Sequence, residues 1–390
     1  MNYTEPEMEG EEVQCLTDCH LAFLGNSMLT SCTGMVQPIS ALKFDCYQEL
    51  LWSANNSGKV GSFYGIGLND YTCFTAFTDA PVKDLEVVEE AVVPIGKDSI
   101  CGFKRQGLLL FEYSSPNLED LTCGCSLPVA PNSLLLGGKQ NKIVQLDLIT
   151  QKEQRVVHLK ETDCLDVRAN DRYVFTVDSS GVLTMRSLNS METISSTAAH
   201  SGGVSDFDVC DNRVITCGFT NRAGTPYCDP FLKVYDVRNL KALLPHSVLF
   251  PPTMCRFANP FSDGQLIVAS KYGHVMATNL NTSQNELLYQ CCNGMQPVSI
   301  TVSSTRQCAA IGDNAGSICL FGDRQSASTF NLDSWPTVFP TVDECLPPIS
   351  IDDSNSSLAF VPTPLPPSNG YCSDFWPENF LRRKFRLFYF

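Results

Sequence analysis

The sequence predicts an all-β fold, a seven-bladed β-propeller followed by an extended, proline-rich C-terminal tail. Three observations support this prediction. A pattern of two apolar strands joined by a tight polar turn recurs seven times along the chain. The glycines of these turns recur at a regular interval, and proline is frequent after the last copy.

The seven strand–turn–strand copies share one composition. Each joins two short, mostly apolar runs through a turn made mainly of Gly, Asn, Asp, Ser and Lys, which is typical of antiparallel hairpins. Glycine supplies a positive φ angle in such turns, and Asn or Asp bonds to the local backbone, as we expect of Asp178 and Asp313. The copies are 50–64, 99–113, 133–148, 172–188, 213–237, 265–280 and 307–321.

The turn glycines set the length of the repeat. The first is Gly58 and the seventh is Gly316, so six steps cover 258 residues, or 43 residues per step. Blades of WD-repeat propellers contain about 40–45 residues in four strands. A further strand candidate precedes each hairpin, for example in 40–45 and 254–257. Second strands that are apolar on both sides, such as Leu266–Ala269, fit blades packed face to face.

We expect the propeller to span residues 35–334, after a partly disordered segment at residues 1–34. Residues 335–390 form the predicted tail, in which frequent prolines favour an extended conformation without a core. The tail fits either a segment that docks through spaced apolar side chains or a disordered linker. The apolar candidates for docking are Phe360, Leu365, Phe375 and Trp376.

Charge and cysteine content argue against several classes of protein. The net charge of −15 repels phosphate backbones, so we expect no strong direct nucleic-acid binding by the propeller. The 19 cysteines include no Cys-x-x-Cys pair and follow no secretion signal, which favours free, buried thiols over zinc or disulfides. No apolar run is long enough to cross a bilayer. We therefore expect a cytoplasmic protein without membrane contact.

The fifth copy has the clearest WD-repeat signature. His200 stands in place of the histidine of the Gly-His pair, and Tyr235-Asp236 stands in place of Trp-Asp. These positions normally share a structural hydrogen-bond network. Asp206 and Asp208 lie two residues apart in a strand and therefore point to one face. We expect them to order a tight turn; the alternative is a pair that binds a metal or exchanges protons.

The fifth copy also contains an insertion, Thr220–Pro230, between its two strands. A loop of this length on a rigid scaffold often carries binding residues, although a solvated loop explains it equally well. Its candidate partner-binding residues are Arg222 and Tyr227.

Catalytic motifs are missing from the sequence. It contains no phosphate-binding Gly-x-x-x-x-Gly-Lys-Ser/Thr loop and no Gly-x-Ser-x-Gly elbow, and its five histidines are scattered. We predict no catalytic, metal-binding or cofactor-binding residues in this chain. The alternative is an enzyme whose carboxylates or histidines converge at one end of the propeller channel.

Segments on both sides of the insertion carry a resemblance to a known family. They are Ser201–Val209, Cys217–Phe219 and Phe231–Arg238, with the runs Ser-Asp-Phe-Asp-Val and Phe-Leu-Lys-Val-Tyr-Asp. Similar runs in the same order occur in the poly(A)-specific ribonuclease subunit of the poly(A)-nuclease deadenylation complex. The resemblance extends over residues 35–377 and includes the tail segment Ser373–Pro377.

The resemblance implies that the chain is the N-terminal propeller and the start of the linker of that family. In the family, an inactive ubiquitin-hydrolase-like domain and a metal-dependent exonuclease that shortens mRNA poly(A) tails follow. Neither domain is in this sequence, so no catalytic residue carries over, and a divalent metal such as Mg²⁺ would belong to the missing exonuclease. The resemblance also implies a dimeric, pseudokinase-like partner subunit, which brings poly(A)-binding protein and mRNA.

These implications predict a non-catalytic scaffold in cytoplasmic mRNA decay, located also in P-bodies. The alternative is an unrelated WD-type adaptor, for example in ubiquitin ligation or a vesicle coat. The last residues, 381–390, are basic and aromatic and are unlike the family's linker. They fit an alternative or misread terminus, or a tail that touches RNA or a membrane.

Overall fold

The computed structural model describes residues 21–28, 37–159, 162–210, 212–258, 264–282, 285–290, 295–304 and 308–323. All regular elements in these ranges are β-strands, and they form seven antiparallel sheets. Each sheet is one blade, and the first strands of neighbouring blades contact each other around a closed ring. The predicted seven-bladed, all-β propeller is therefore confirmed.

Six blades take their strands from consecutive segments of the chain. Blade 1 contains β2 (Ile39–Phe44), β3 (Leu51–Asn55), β4 (Lys59–Tyr64) and β5 (Asn69–Thr75). Blade 2 contains β6 (Asp84–Val87), β7 (Val92–Ile95), β8 (Ser99–Phe103) and β9 (Leu109–Ser114). Blade 3 contains β10 (Leu121–Leu127), β11 (Ala130–Gly138), β12 (Lys142–Asp147) and β13 (Lys152–His158).

Blades 4 to 6 continue this order. Blade 4 contains β14 (Asp166–Ala169), β15 (Tyr173–Val177), β16 (Val182–Ser187) and β17 (Thr193–Ala198). Blade 5 contains β18 (Val204–Cys210), β19 (Arg213–Arg222), β20 (Thr225–Cys228), β21 (Phe231–Asp236) and β22 (His246–Ser247). Blade 6 contains β23 (Met254–Phe257), β24 (Gln265–Ala269), β25 (His274–Asn279) and β26 (Asn285–Gln290).

The seventh blade combines strands from both ends of the described chain. It contains β27 (Pro297–Val302), β28 (Cys308–Asp313), β29 (Ser317–Asp323) and, as its outer strand, β1 (Leu21–Met28). Strand β1 pairs antiparallel with β29 from Leu21↔Asp323 to Met28↔Ser317. Part of the segment 1–34, which we expected to lie outside the propeller, thus closes the ring.

Alternate residues of the second strands pack against different blades. In β24, Leu266 and Val268 join a hydrophobic cluster shared with blade 5, whereas Ile267 and Ala269 join one shared with blade 7. All five residues of β24 are buried. Removing apolar surface from water contributes about 25 cal/mol per Å², so this two-sided burial holds the blades together.

The cysteines contribute to these clusters as small apolar side chains. All twelve described cysteines are free, and eight of them are buried.

Within the described ranges, no helix is long and apolar enough to span a bilayer.

The polar turns between second and third strands have the expected chemistry. Asp178 Oδ1 accepts a hydrogen bond from the Val182 amide (2.8 Å), and Asp313 Oδ1 accepts one from the Ser317 amide (2.8 Å). Gly181 has a φ of 83°. A Cβ atom there would lie 1.8 Å from the His200 carbonyl oxygen, so a side chain does not fit.

Blade 2 departs from the predicted arrangement. Six of the predicted hairpins form second and third strands, but the copy at 99–113 forms the third and fourth strands of its blade. The strand that sequence reasoning missed is β7, a run of only four residues with Pro94 inside it. Such a run gives a weak strand signal, because proline cannot donate to a sheet.

This shift places the turn that contains Arg105 beside the loop between β2 and β3. There Arg105 forms a buried ion pair with Asp45, with Nε–Oδ2 at 2.7 Å and Nη2–Oδ1 at 2.9 Å. Arg105 also donates to the carbonyl of Glu89 (2.7 Å), and the Trp52 indole donates to Asp45 (3.0 Å). Asp45 and Arg105 are 0% and 6% exposed, so this pair links blades 1 and 2 without access to water.

Candidate functional site

Carboxylates on the first strands, which surround the central channel, bind the next blade. Asp84 Oδ2 accepts a hydrogen bond from the Gly124 amide (2.9 Å), and Glu86 Oε2 accepts one from the Ser126 hydroxyl (3.0 Å). Lys43 of blade 1 donates to Glu86 Oε1 at 2.7 Å. Glu86 therefore connects blades 1, 2 and 3, and its charge is compensated where it leaves bulk water.

The predicted pair Asp206 and Asp208 makes the same kind of link between blades 5 and 6. Asp206 Oδ2 accepts a hydrogen bond from the Cys255 amide (3.0 Å), and Asp208 Oδ2 accepts one from the Phe257 amide (2.9 Å). Arg256 also donates to Asp206, at 2.5 Å. Both carboxylates lie within β18 and bind the neighbouring strand, so the expectation that they order a tight turn is wrong.

Arg168 of blade 4 completes this network. Its Nη2 lies 3.6 Å from Asp166 and 3.8 Å from Asp206, and its Nε donates to the Phe207 carbonyl at 2.9 Å. Burial disfavours the charged guanidinium, but the nearby carboxylates outweigh this effect and raise the pKa of Arg168. Among the described residues, no group of three His, Cys, Asp or Glu side chains is placed to hold a metal ion.

Asp84 makes the stability of the channel depend on pH. Burial, reinforced by Glu86, raises the pKa of Asp84 to about 6. Because the folded-state pKa exceeds that of the unfolded chain, ionisation of Asp84 opposes folding, and stability is lost as pH rises through about 6. Between about pH 7.5 and pH 5, the wild-type chain should therefore gain about 1 kcal/mol more stability than Asp84→Asn.

Urea denaturation at a series of pH values measures this difference. The comparison with Asp84→Asn is needed because other carboxyl groups titrate in the same range. Parallel stability–pH curves for the two chains would show that Asp84 does not have the raised pKa.

His200 lies at the centre of a buried network in blade 5. Its Nδ1 is 2.6 Å from Asp229 Oδ2, and its Nε2 is 2.9 Å from the Thr216 hydroxyl. Burial lowers the pKa of His200, which favours a neutral ring that donates to Asp229 and accepts from Thr216. Asp229, at the end of the insertion, is therefore the carboxylate partner that the sequence did not identify.

Asp236 lies outside this network, whereas the Tyr235 side chain is connected to it through a hydrogen bond with Thr216. Tyr235 is 3% exposed and belongs to the hydrophobic cluster between blades 4 and 5. Asp236 accepts a hydrogen bond from the Arg238 amide (2.9 Å) and pairs with the Arg238 guanidinium (2.7 Å). These bonds lower the pKa of Asp236 to about 2. Asp236 thus orders the turn that follows the third strand.

The insertion forms a β-hairpin on the face that carries the turns between second and third strands. β19 continues to Arg222, Ala223 and Gly224 turn the chain with φ angles of 51° and 84°, and β20 returns beside β19. The Arg222 guanidinium lies 6.0 Å from the centre of the Tyr227 ring, which is 53% exposed. The structure therefore brings the two predicted residues together on an exposed hairpin.

Four other candidate residues lie outside the described part of the chain, and so do the tail at 335–390 and its basic end at 381–390. These four residues are Phe360, Leu365, Phe375 and Trp376.

Several relatives share this propeller sequence. The chain is 32% identical over 345 residues to the PAN2-PAN3 deadenylation complex catalytic subunit PAN2 of Gallus gallus, covering 87% of this chain and 28% of the relative. The same subunit of Homo sapiens is 31% identical, over 84% of this chain and 27% of the relative. The PolyA-specific ribonuclease subunit panl-2 of Caenorhabditis elegans is 28% identical, over 83% and 30%. The chain thus spans less than a third of the length of these relatives.

Solved structures share the fold. The Pan2 WD40 domain of Neurospora crassa aligns with a TM-score of 0.73 and 22% identity, over 81% of this chain and 99% of that domain. The computationally designed Ika8 protein aligns with a TM-score of 0.57 and 13% identity, over 77% and 99%. The family model described as PAN2 N-terminal matches residues 26–322, which include the first strand of each of the seven blades. The chain therefore belongs to the PAN2 N-terminal family.

Proposed function

We propose that this chain is a non-catalytic scaffold of a PAN2–PAN3-type deadenylation complex and that it positions the PAN3-type subunit. The family match over residues 26–322 carries the proposal. Relatives with this propeller are named as catalytic subunits of that complex, and the chain covers about 28% of their length. In the family that the sequence resembles, the nuclease lies in a separate C-terminal domain.

The chemistry of the channel favours a scaffold over a channel enzyme. A channel enzyme would need carboxylates that are free to contact a substrate. Asp206 and Asp208 accept hydrogen bonds from blade 6, and Glu86 binds blades 1 and 3. Asp84 has a raised pKa, yet its two carboxylate oxygens accept hydrogen bonds from the amides of Leu85 and Gly124. These carboxylates are therefore used to join blades.

The proposed partner is a pseudokinase-like subunit that would connect the chain to poly(A)-binding protein and mRNA, in the cytoplasm and in P-bodies. A closed propeller is stiff and offers two faces and a side wall for such contacts. The chain itself would need no cofactor. The alternative of an unrelated WD-type adaptor is disfavoured, because the family match over residues 26–322 includes strands of all seven blades.

The purified chain should bind a PAN3 subunit in a pull-down and leave poly(A) intact in the presence of Mg²⁺. A full-length PAN2 relative serves as the positive control for both assays. Failure to bind PAN3 would overturn the scaffold function. Poly(A) decay that copurifies with the chain and is lost in Asp206→Asn/Asp208→Asn would instead reveal an active site in the channel.

A further inference from the structure

We propose that the surface between blades 5 and 6 binds an extended acidic peptide with apolar side chains. Three segments on one face of the ring form this surface, which we call the 5–6 rim. They are the hairpin 219–230, the loop 248–253 and the turn 270–273. The proposal rests on the side chains of these segments and is independent of the proposed scaffold function.

Contacts between the three segments make the 5–6 rim continuous. Cys228 Sγ of the hairpin donates to the Pro252 carbonyl oxygen of the loop at 3.2 Å. The Phe250 ring of the loop lies 5.7 Å from the ring of His274, which follows the turn. Lys271 of the turn is close enough to lower the pKa of Cys228, although burial dominates and raises it.

Two exposed tyrosines of the rim each lie beside a cation. The Arg222 guanidinium is 6.0 Å from the centre of the Tyr227 ring, and the Lys271 ammonium is 4.9 Å from that of Tyr272. The tyrosines are 53% and 58% exposed. A cation is attracted to the face of an aromatic ring, so each pair is oriented before a partner arrives.

The charge of the rim is opposite to that of the chain. The net charge of the chain is −15, yet the three segments contain a single acidic residue, Asp229. Asp229 is 5% exposed and binds His200 and Thr220. Neither Arg222 nor Lys271 forms an ion pair with a described carboxylate. Carboxylates of a partner are therefore attracted to the rim and repelled by the rest of the surface.

Apolar groups in the rim favour a peptide over single-stranded RNA. Leu249 is 64% exposed in the loop that joins the two blades, and Pro226 and Pro251 are also exposed. Tyrosine and arginine side chains are enriched in protein interfaces. A strand of RNA would instead need a row of cations along its phosphates, and the rim offers only the two named above. The best match is an apolar core flanked by carboxylates.

Fluorescence anisotropy with a labelled synthetic peptide tests the proposal. The probe carries a Leu-Pro-Leu core between two pairs of glutamates, and the control probe carries lysines instead. The acidic probe should bind the full chain, and Arg222→Glu/Lys271→Glu should weaken it at least about tenfold, because attraction becomes repulsion at two places. Tyr227→Ala/Tyr272→Ala should weaken it at least about fivefold.

The matched control is Lys97→Glu/Lys139→Glu, which makes the same charge change at exposed turns of blades 2 and 3 on the same face. This variant should change binding by less than about twofold at moderate salt. All six substituted side chains are on the surface, and thermal melting verifies that each variant is folded. Equal binding by wild type and both rim variants, or no binding at millimolar peptide, would overturn the proposal. Oligoadenylate binding that requires the rim, without peptide binding, would assign the surface to RNA and overturn it too.

Discussion

A chain that lacks residues 1–30 should lose about 5 kcal/mol or more of stability and unfold about 8 °C below the full chain. The deletion removes β1, which pairs with β29 at seven positions. Each net backbone hydrogen bond contributes about 1 kcal/mol, and the deletion also exposes the edge of β29. An uncovered edge strand pairs readily with other chains, so we also expect aggregation.

Deletion of residues 1–18 is the matched control, because it leaves β1 intact. Circular dichroism melting and size-exclusion chromatography distinguish the two chains. If both truncated chains melted at the same temperature as the full chain, pairing between β1 and β29 would not be what closes the ring.

Replacement of Arg105 by methionine should destabilise the propeller by about 3–5 kcal/mol, or about 5–8 °C in Tm. Methionine keeps most of the side-chain volume but leaves the carboxylate of Asp45 buried without its cation. Asp45 keeps the hydrogen bonds from the Trp52 indole and from the Tyr47 and Gln48 amides, but it loses both bonds to the guanidinium. The large effect follows because an uncompensated buried charge costs more than the intact pair contributes.

The pair Arg238–Asp236 provides the control for this substitution. It has the same N–O distance of 2.7 Å, but the Arg238 side chain is 74% exposed. Arg238→Met should therefore leave the stability of the propeller close to that of the wild type, because solvent screens an exposed pair. The double variant Asp45→Asn/Arg105→Met should recover part of the loss, since it removes both charges. Similar losses of stability for Arg105→Met and Arg238→Met would show that the Asp45–Arg105 ion pair is screened by solvent as well as the exposed pair is.

The sequence predicted those parts of the fold that depend on neighbouring residues. A turn such as that around Gly181 needs only a glycine with positive φ and an Asx side chain, so the seven copies and their period were visible. The same reasoning failed in blade 2, where the four residues of β7 are buried through contacts that no local pattern encodes. Strand β1 was missed for a similar reason, because its partner β29 is far from it in the sequence, at Ser317–Asp323.

The candidate site was predictable only in part. His200 was identified by its place in the repeat, but its partner Asp229 lies in an insertion that shifts it away from the usual spacing. Asp206 and Asp208 were identified as a pair on one face, yet their partners are the Cys255 and Phe257 amides of blade 6, which folding alone brings near them. Lys271 of the 5–6 rim was not identified as a candidate binding residue, because lysines are common in polar surface turns.

The links between first strands have a consequence for how such propellers diverge. The donors opposite Asp84 and Asp208 are backbone amides of the next blade, at Gly124 and Phe257. Any residue except proline supplies the same donor, so the receiving strand is free to mutate while the contact persists. Correlated substitutions should therefore be absent at these two contacts, and covariation methods will underestimate how much they contribute to joining the blades. A ring whose blades are joined by hydrogen bonds from backbone amides to carboxylates can lose its repeat signature in the sequence and still keep its fold.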